Sequence, residues 1–247
     1  MTDYSEWTDQ QDSATVTVDD HDLEIAYYED GSEGDPVVFL HGIPTNSYLF
    51  REVIDPIAEE RRVIAPDMVG YGNSAQRDGF DRSIRAQEIA VRGLLDDLGI
   101  DQFSFVGHDL GGGVGLRLAA RTPDRVDELQ GMLDDLFCDT LYGDADEAFV
   151  EGMKAPWASE EGVTSVVRAA SGTNTSHTTE VGPSDVAADT LLLWGAEDEF
   201  QAIEWAERLE DDIDSAELVG LDEANHWVMA DRPDAYADHL ADFLVGN

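Results

Sequence analysis

The sequence is almost without lysine and cysteine: Lys154 is its only lysine and Cys138 its only cysteine. A single cysteine excludes a disulfide within the chain. No stretch approaches the ~18 consecutive apolar residues of a membrane-spanning helix. The first residues, MTDYSEWTDQQDS, lack the basic and apolar segments of a secretory signal. From these absences we expect a soluble, cytoplasmic protein.

Positive charge is equally scarce. The 247 residues include 55 acidic and 14 basic side chains, and the formal net charge is −41. The acids are spread along the whole chain among apolar residues, which is typical of a folded protein with a carboxylate-covered surface. Such a surface repels itself unless molar salt shortens the Debye length to about 3 Å. The composition therefore indicates a halophilic source, and the alternative is a merely soluble acidic protein. It argues against nucleic acid or an anionic membrane as partner.

Strand-like and helix-like segments alternate along the chain, which favours an α/β fold with a mostly parallel sheet and helices on both faces. Ala14–Asp19 and Leu23–Tyr28 alternate apolar and polar residues, as in an edge hairpin. The other predicted strands are Asp35–Leu40, Arg62–Asp67, Phe103–Gly107, Thr190–Trp194 and Ala216–Leu221. The predicted helices are Asn46–Glu60, Ser83–Leu98, Gly112–Arg121, Ala202–Asp211 and Pro233–Leu244.

Residues 130–182 interrupt this alternation. They contain two helical patterns, Glu147–Met153 and Gly162–Ala170, but no clear strand. We therefore predict a core made of residues 1–129 and 183–247, with residues 130–182 inserted as a shortened helical lid.

The segment Phe105–Gly113, FVGHDLGGG, places G-x-D-x-G between a predicted strand and a predicted helix. This is the arrangement of a nucleophile elbow, with Asp109 at the position where serine is more familiar. Gly107 and Gly111 leave room for neighbouring backbone in so tight a turn. The N-terminus of the following helix favours a carboxylate and developing negative charge. Asp109 is thus a candidate nucleophile, and the alternative role is that of a helix N-cap.

His41, Gly42 and Ile43 follow the strand that ends at Leu40. In hydrolases with a nucleophile elbow, the loop at this place supplies one backbone N–H of the oxyanion hole, and the residue after the nucleophile supplies the other. Ile43 and Leu110 would donate by backbone, so their side chains are available to shape the pocket. The alternative for this segment is an ordinary Gly-Pro turn.

An acid and a histidine follow two later strands. Asp198 comes directly after the strand Thr190–Trp194, where it can orient a histidine, although Glu197 and Glu199 are its neighbours. His226 follows the last predicted strand. The order nucleophile, acid, histidine is that of α/β-hydrolases. Taken singly, the acid could be a surface carboxylate and the histidine a structural side chain.

Together these segments resemble the haloalkane dehalogenase and epoxide hydrolase branch of the α/β-hydrolase superfamily, and SYLFR leans toward the dehalogenases. The matching segments are HGIPTNSYLFR (41–51), VIAPDMVGYGNSA (63–75), FVGHDLGGG (105–113), LWGAED (193–198) and ANHW (224–227). The resemblance implies that Asp109 attacks carbon and forms an alkyl-enzyme ester. It also implies that His226, held by Asp198, activates the water that hydrolyses this ester.

The sequence departs from this family at the leaving-group site. Haloalkane dehalogenases normally carry tryptophan after the nucleophile, where this chain has Leu110, and many carry asparagine where it has Ile43. Neither apolar side chain can donate a hydrogen bond to a halide. Epoxide hydrolases typically protonate the epoxide oxygen with lid tyrosines, and Tyr142 is the only tyrosine in the predicted lid. Trp157 is a further candidate donor in the lid.

The family usually has another strand after Arg125, followed by a larger lid. Here VDELQGMLDDLF runs directly into a helical pattern. We therefore expect either that this strand is missing or that the chain carries a deletion here. A missing strand would leave a gap beside the elbow strand or force it to pair with TLLLW.

Three functions are compatible with the sequence. The first is a hydrolase with an aspartate nucleophile that acts on a small alkyl halide or related electrophile. The second is an epoxide hydrolase, and the third is a binding protein that keeps the fold without catalysis. The absence of serine at the elbow disfavours a serine esterase. The sequence shows no metal cluster or phosphate loop, so we predict no cofactor and no metal, and it does not indicate the oligomeric state.

Overall fold

The computed structural model describes residues 3–31, 34–122, 125–131, 147–157, 159, 162, 165 and 175–245. The strands are β1 (Gln11–Val18), β2 (His21–Asp30), β3 (Val37–Leu40), β4 (Val63–Pro66), β5 (Phe103–Gly107), β6 (Val126–Gly131), β7 (Asp189–Gly195) and β8 (Ala216–Leu221). The α-helices are α1 (Tyr4–Asp9), α2 (Asp55–Ala58), α3 (Ile84–Asp97), α4 (Leu110–Arg121), α5 (Glu147–Lys154), α6 (Glu204–Asp212), α7 (Val228–Asp231) and α8 (Pro233–Val245).

Within the described ranges, the strands form one sheet with the order β1-β2-β4-β3-β5-β6-β7-β8. β1 and β2 form an antiparallel hairpin, and β2 also pairs antiparallel with β4. From β4 to β8 every pair of neighbours is parallel. The predicted mostly parallel sheet with an edge hairpin is therefore confirmed.

The expectation that a strand is missing after Arg125 is wrong. β6 lies between β5 and β7 and pairs in parallel with both. In VDELQG the apolar residues Val126 and Leu129 are three positions apart, a spacing that fits a helix better than a strand. Pairing with two neighbouring strands overrides this weak local preference. β6 also continues to Gly131, past residue 129 at which the predicted core ends.

The hydrophobic core lies on both faces of the sheet, because alternate residues of a strand point to opposite faces. Val38 and Phe105 belong to the cluster that α3 and α4 cover, whereas Phe39 and Val106 belong to the cluster that α2 and α8 cover. This two-sided burial accounts for the nearly continuous apolar runs that predicted the interior strands. No helix in the described part of the chain is long and apolar enough to cross a membrane.

The single helix predicted over Asn46–Glu60 is instead two short elements. A 3₁₀ turn spans Ser47–Phe50, and α2 begins only at Asp55. Pro56 occupies the first turn of α2, where its missing N–H is tolerated, but in a longer helix it would remove a hydrogen bond. Asn46 caps the first element by accepting a hydrogen bond from the N–H of Tyr48 at 3.0 Å.

Helix α1 was not predicted, although the sequence carries a signal for it. Asp3 and Glu6 form a capping box, in which each side chain accepts a hydrogen bond from the other residue's backbone N–H. Trp7 stacks on Tyr28 of β2 with a centroid separation of 3.9 Å, and its indole N–H donates to Ser47 Oγ at 3.0 Å. These distant contacts stabilise a helix that is too short to persist alone.

A buried ion pair joins α3 and α4. The guanidinium of Arg117 is fully buried, and its Nε donates to Glu88 Oε2 at 2.8 Å. Its Nη1 also donates to the carbonyl of His177 and to Glu180 Oε2, the latter at 3.0 Å. Because His177 and Glu180 belong to the 3₁₀ segment Thr175–Glu180, this network ties the helix after Asp109 to the end of the predicted lid.

We expect Arg117→Met to lower the free energy of unfolding by about 3–5 kcal/mol, because it leaves the buried Glu88 carboxylate without its nearest cation. The double variant Arg117→Met/Glu88→Leu should recover most of this loss, since both charges are then absent. Urea denaturation in molar salt measures both effects. Equal stability of the single variant and the wild type would contradict a structural role for this pair.

Candidate active site

The four candidate segments lie at one edge of the sheet. β3, β5, β7 and β8 are parallel, so their carboxyl ends point the same way. The loops that follow these ends carry Ile43, Asp109, Asp198 and His226, respectively. In α/β proteins ligands bind outside the carboxyl ends of such strands.

Asp109 adopts the strained backbone of a nucleophile elbow, with φ +54° and ψ −121°. A Cβ at Gly107 would overlap the backbone of Gly111, and a Cβ at Gly111 would overlap the carbonyl oxygen of Leu40. Only glycine therefore fits on either side of the turn. Asp109 precedes α4, but its side chain makes no capping hydrogen bond to this helix, which is described in full. The N-cap alternative is thus not supported.

The backbone N–H of Ile43, in the loop after β3, binds the side chain of the candidate nucleophile Asp109. Ile43 N–H donates to Asp109 Oδ1 at 2.6 Å. A Cβ at Gly42 would overlap the Asp109 side chain, so glycine is required for this close approach. Leu110, the second predicted donor, is the first residue of α4 and is buried. Its part in an oxyanion hole stays a prediction.

The buried imidazole of His41 contacts the backbone of this loop and of the loop after β4. Its Nε2 accepts a hydrogen bond from the N–H of Met68 at 2.9 Å, and its Nδ1 lies 2.8 Å from the carbonyl oxygen of Gly42. Since a carbonyl only accepts, Nδ1 carries the proton and the imidazole is neutral. Burial lowers the pKa of His41 accordingly. His41 thus fixes the backbone beside Ile43.

The acid and the histidine meet in the structure. His226 Nδ1 lies 3.3 Å from Asp198 Oδ2, and both side chains are fully buried. Asp198 Oδ1 accepts hydrogen bonds from the N–H groups of Phe200 and Gln201, both at 2.9 Å, which fixes its carboxylate. The neighbouring Glu197 and Glu199 are exposed, so geometry selects Asp198.

The other nitrogen of His226 is suited to act as a base. With Nδ1 donating to Asp198, the neutral ring has its lone pair on Nε2. Nε2 is buried and makes no hydrogen bond to any part of the chain that the structure describes. A buried nitrogen with an unused lone pair can accept a proton from a water molecule or a substrate.

Asn225 joins the acid loop to the histidine loop, a role that sequence reasoning missed. Its Oδ1 accepts from the N–H of Glu199 at 3.2 Å and from the N–H of His226 at 2.9 Å. Its own N–H donates to Asp231 Oδ2 at 2.8 Å. Asparagine directly before the candidate histidine was the available signal, because its side chain readily binds nearby backbone.

The predicted lid reaches the site through α5. Phe149 of α5 packs against Trp227, with ring centroids 6.5 Å apart, and Trp227 packs in turn against His226 at 5.1 Å. Tyr142 lies outside the described residues, as does most of the predicted helix Gly162–Ala170. Trp157 ends a 3₁₀ turn that follows α5. The lid boundaries and the donor roles of Tyr142 and Trp157 stay predictions.

Stability should depend on pH through two buried imidazoles. Burial lowers the pKa of His41 below 6.5 and that of His108 well below it, so both stay neutral in the native state. The unfolded chain binds protons at these residues once the pH falls below about 6.5. Their contribution is therefore complete above that pH and is lost below it, by up to about 1.4 kcal/mol per pH unit for each histidine.

The substitution His108→Gln removes one of the two buried imidazoles and would therefore test this dependence. Chemical denaturation in molar salt between about pH 5 and pH 8 should show a smaller loss of stability for the variant than for the wild type. Identical slopes would contradict the assignment of His108 as a buried neutral side chain.

Comparisons with known proteins agree with this architecture. Residues 35–133 match the family model of the alpha/beta hydrolase fold. A haloalkane dehalogenase of Agrobacterium fabrum is 39% identical over 104 residues, which are 42% of this chain and 34% of that protein. A soluble epoxide hydrolase of Corynebacterium sp. is 40% identical over 104 residues, 42% of this chain and 36% of that protein. The crystal structure of haloalkane dehalogenase DbeA from Bradyrhizobium elkani has a TM-score of 0.81 at 22% identity, and the match covers 96% of this chain and 97% of that one.

The chain therefore has the α/β-hydrolase fold, and its relatives include haloalkane dehalogenases and an epoxide hydrolase. The matched segment spans about a third of the length of these two curated relatives. The residues that match the family model, 35–133, contain the loop after β3 and the elbow, whereas Asp198 and His226 lie beyond them.

Proposed function

We propose that the protein is a hydrolase that uses Asp109 as nucleophile on a small electrophilic substrate and acts like a haloalkane dehalogenase. The observation that carries this proposal is the position of Asp109 in a strained elbow with Oδ1 bound to Ile43 N–H. The fully buried pair of Asp198 and His226 at the same edge of the sheet supplies the base for hydrolysis of the ester and the carboxylate that orients this base.

In the first step, an oxygen of Asp109 attacks a saturated carbon, and the leaving group departs with the bonding electrons. Aspartate is ordinarily ionised at neutral pH, so this step requires no base. Because Ile43 N–H binds Oδ1, Oδ2 is the oxygen that bonds to carbon. Oδ1 then becomes the carbonyl oxygen of the ester.

In the second step, Nε2 of His226 takes a proton from water, and the resulting hydroxide attacks the ester carbon of Asp109. Asp198, bound to Nδ1, stabilises the imidazolium that forms. Negative charge develops on Oδ1, which already accepts a hydrogen bond from Ile43 N–H. Collapse of the tetrahedral intermediate breaks the bond between Cγ and the alkyl oxygen, and the alcohol leaves with the hydroxyl proton of the intermediate. The carboxylate of Asp109 is restored, and His226 returns to its neutral state by losing its proton to solvent.

Two kinds of leaving group are compatible with this mechanism. Dehalogenase relatives and the SYLFR motif favour a halide, while the 40% identity to an epoxide hydrolase favours an epoxide as the second candidate. Both reactions share the nucleophile and the base. They differ in what stabilises the departing atom, a halide in one reaction and the epoxide oxygen in the other. The side chains of Leu110 and Ile43 offer no hydrogen-bond donor to either.

The products formed by the wild-type protein separate the candidates. The protein is incubated in molar salt with a panel of primary alkyl chlorides, bromides and iodides, and in parallel with small epoxides. We expect release of halide and alcohol. Diol formation without halide release would assign an epoxide hydrolase. A folded protein that forms neither product would contradict the proposed hydrolase on these substrates and favour a binding protein.

A further inference from the structure

His108 immediately precedes Asp109, and neither step of the proposed mechanism uses it. Its side chain is fully buried between two rings of the histidine loop. The imidazole centroid lies 5.1 Å from that of His226 and 4.8 Å from that of Trp227. Its Nε2 lies 3.2 Å from the backbone carbonyl oxygen of His226.

The protonation state of His108 follows from these contacts. The carbonyl of His226 can only accept, so Nε2 carries the proton and donates. Nδ1 is buried and has no hydrogen-bond partner among the residues that the structure describes. Burial, and next the charge of His226, lower the pKa of His108 well below its ordinary value. The ring is therefore neutral, with a single donated hydrogen bond.

We propose that His108 is a positioning residue, which holds the backbone and the ring of His226 in place for hydrolysis of the ester. This inference rests on the proposed function, because it assigns a role within the second step.

Three residues then hold His226 in place. Asp198 binds its ring at Nδ1, Asn225 Oδ1 accepts from its backbone N–H, and His108 donates to its backbone carbonyl and contacts its ring. The segment from Asp222 to Trp227 contains no helix or strand, so regular structure does not fix the histidine there. A displacement of about 1 Å at a reacting group costs on the order of 100-fold in rate.

The neutral state of His108 matters for the same step. His226 becomes positively charged when it takes the proton from water, and a second cation at this distance would oppose that change. Because His108 stays neutral, it positions His226 without raising the energy of the imidazolium. The first step does not involve His226, so His108 should affect hydrolysis of the ester and not its formation.

The test measures the two steps separately with the full-length protein, in single-turnover reactions followed by intact mass. The probe is whichever alkyl halide or epoxide the wild type converts. His108→Phe keeps a ring but loses the donor, whereas His108→Gln keeps an N–H near the position of Nε2. We expect ester formation within about twofold of wild type in both, and ester hydrolysis slower by roughly 10- to 100-fold in the Phe variant.

The Gln variant should recover part of that loss, and the midpoint of the pH dependence of hydrolysis should not move in either variant. Hydrolysis at the wild-type rate in His108→Phe would overturn the inference. So would an equal slowing of both steps with reduced stability, which would make His108 merely structural. If the Phe variant does not fold, His108→Ala, which also lacks the donor, decides: slowed hydrolysis with normal ester formation supports the role, and wild-type rates overturn it. An absence of ester in every variant and in His226→Gln would instead overturn the proposed function.

Discussion

Transfer from molar salt to dilute buffer is expected to unfold the protein. The net charge of −41 arises from 55 acidic and 14 basic side chains in 247 residues. At physiological ionic strength the Debye length is about 8 Å, which leaves neighbouring surface carboxylates in mutual repulsion, whereas at 1 M it is about 3 Å. Folding free energies are only about 5–15 kcal/mol, so unscreened repulsion of this size can exceed them.

Helix α6 shows how the charge is placed. Its acids Glu204, Glu207, Glu210, Asp211 and Asp212 are all exposed. Arg208 is the only basic residue in the same helix, and its guanidinium lies over the ring of Trp205. Such a surface contributes little to stability in dilute salt, because its carboxylates repel one another when they are not screened.

A graded change of charge tests the cause of this salt requirement. Lysine at Glu204, Glu207 and Glu210 would change the net charge from −41 to −35, because each substitution adds two units. Glutamine at the same positions is the matched control and would give −38, one unit each. Circular dichroism should find the salt midpoint of folding lowest for the lysine variant and intermediate for the glutamine variant. Equal midpoints in the three proteins would contradict a charge origin.

Asp109→Asn is expected to abolish turnover, with a loss of about 10⁴-fold or more in kcat. Asparagine has the same shape and keeps an oxygen that can accept from Ile43 N–H, so the elbow should remain folded. Its amide is not nucleophilic, and no ester can form. Product release in molar salt, measured on the best substrate of the wild type, gives the comparison.

The matched control for this variant is Glu199→Gln. It also removes one negative charge near the site, but Glu199 is exposed and contributes only its backbone N–H to the acid loop. Its kcat should remain within about twofold of wild type, as is usual for surface substitutions. Full activity of Asp109→Asn, or an equal loss in both variants, would contradict a nucleophilic Asp109.

The interior strands and the elbow could be predicted because their signals are local. β3 is a continuous apolar run, β5 is one except for Ser104, and only glycine fits at Gly107 and Gly111. β6 could not be predicted, because its two apolar residues have a helical spacing and only pairing with β5 and β7 makes it a strand. α1 depends on the stacking of Trp7 on Tyr28, a contact between residues whose pairing the sequence does not reveal.

In the candidate site, too, local sequence signals could be predicted and contacts between distant segments could not. The sequence predicts Asp109 and His226 from their places after strands, and it predicts Asp198 for the third position with Glu197 and Glu199 as neighbouring alternatives. Only the fold shows that Asp198 is buried against His226. The roles of Asn225 and His108 depend on hydrogen bonds to the backbone of His226. The residue type was a signal for Asn225, whereas nothing in the sequence indicates the contact of His108.

The most direct measurement of the central claim is intact mass spectrometry of His226→Gln in molar salt with alkyl halides and epoxides. Without its base the second step should stall, and the ester on Asp109 should accumulate. We expect a mass gain equal to the alkyl group without its halogen, and no such gain in the double variant that also carries Asp109→Asn. A gain equal to a whole epoxide would keep the aspartate nucleophile and change the leaving group. A folded His226→Gln protein that gains no mass with any of these electrophiles, while the wild type converts them, would contradict an ester on Asp109.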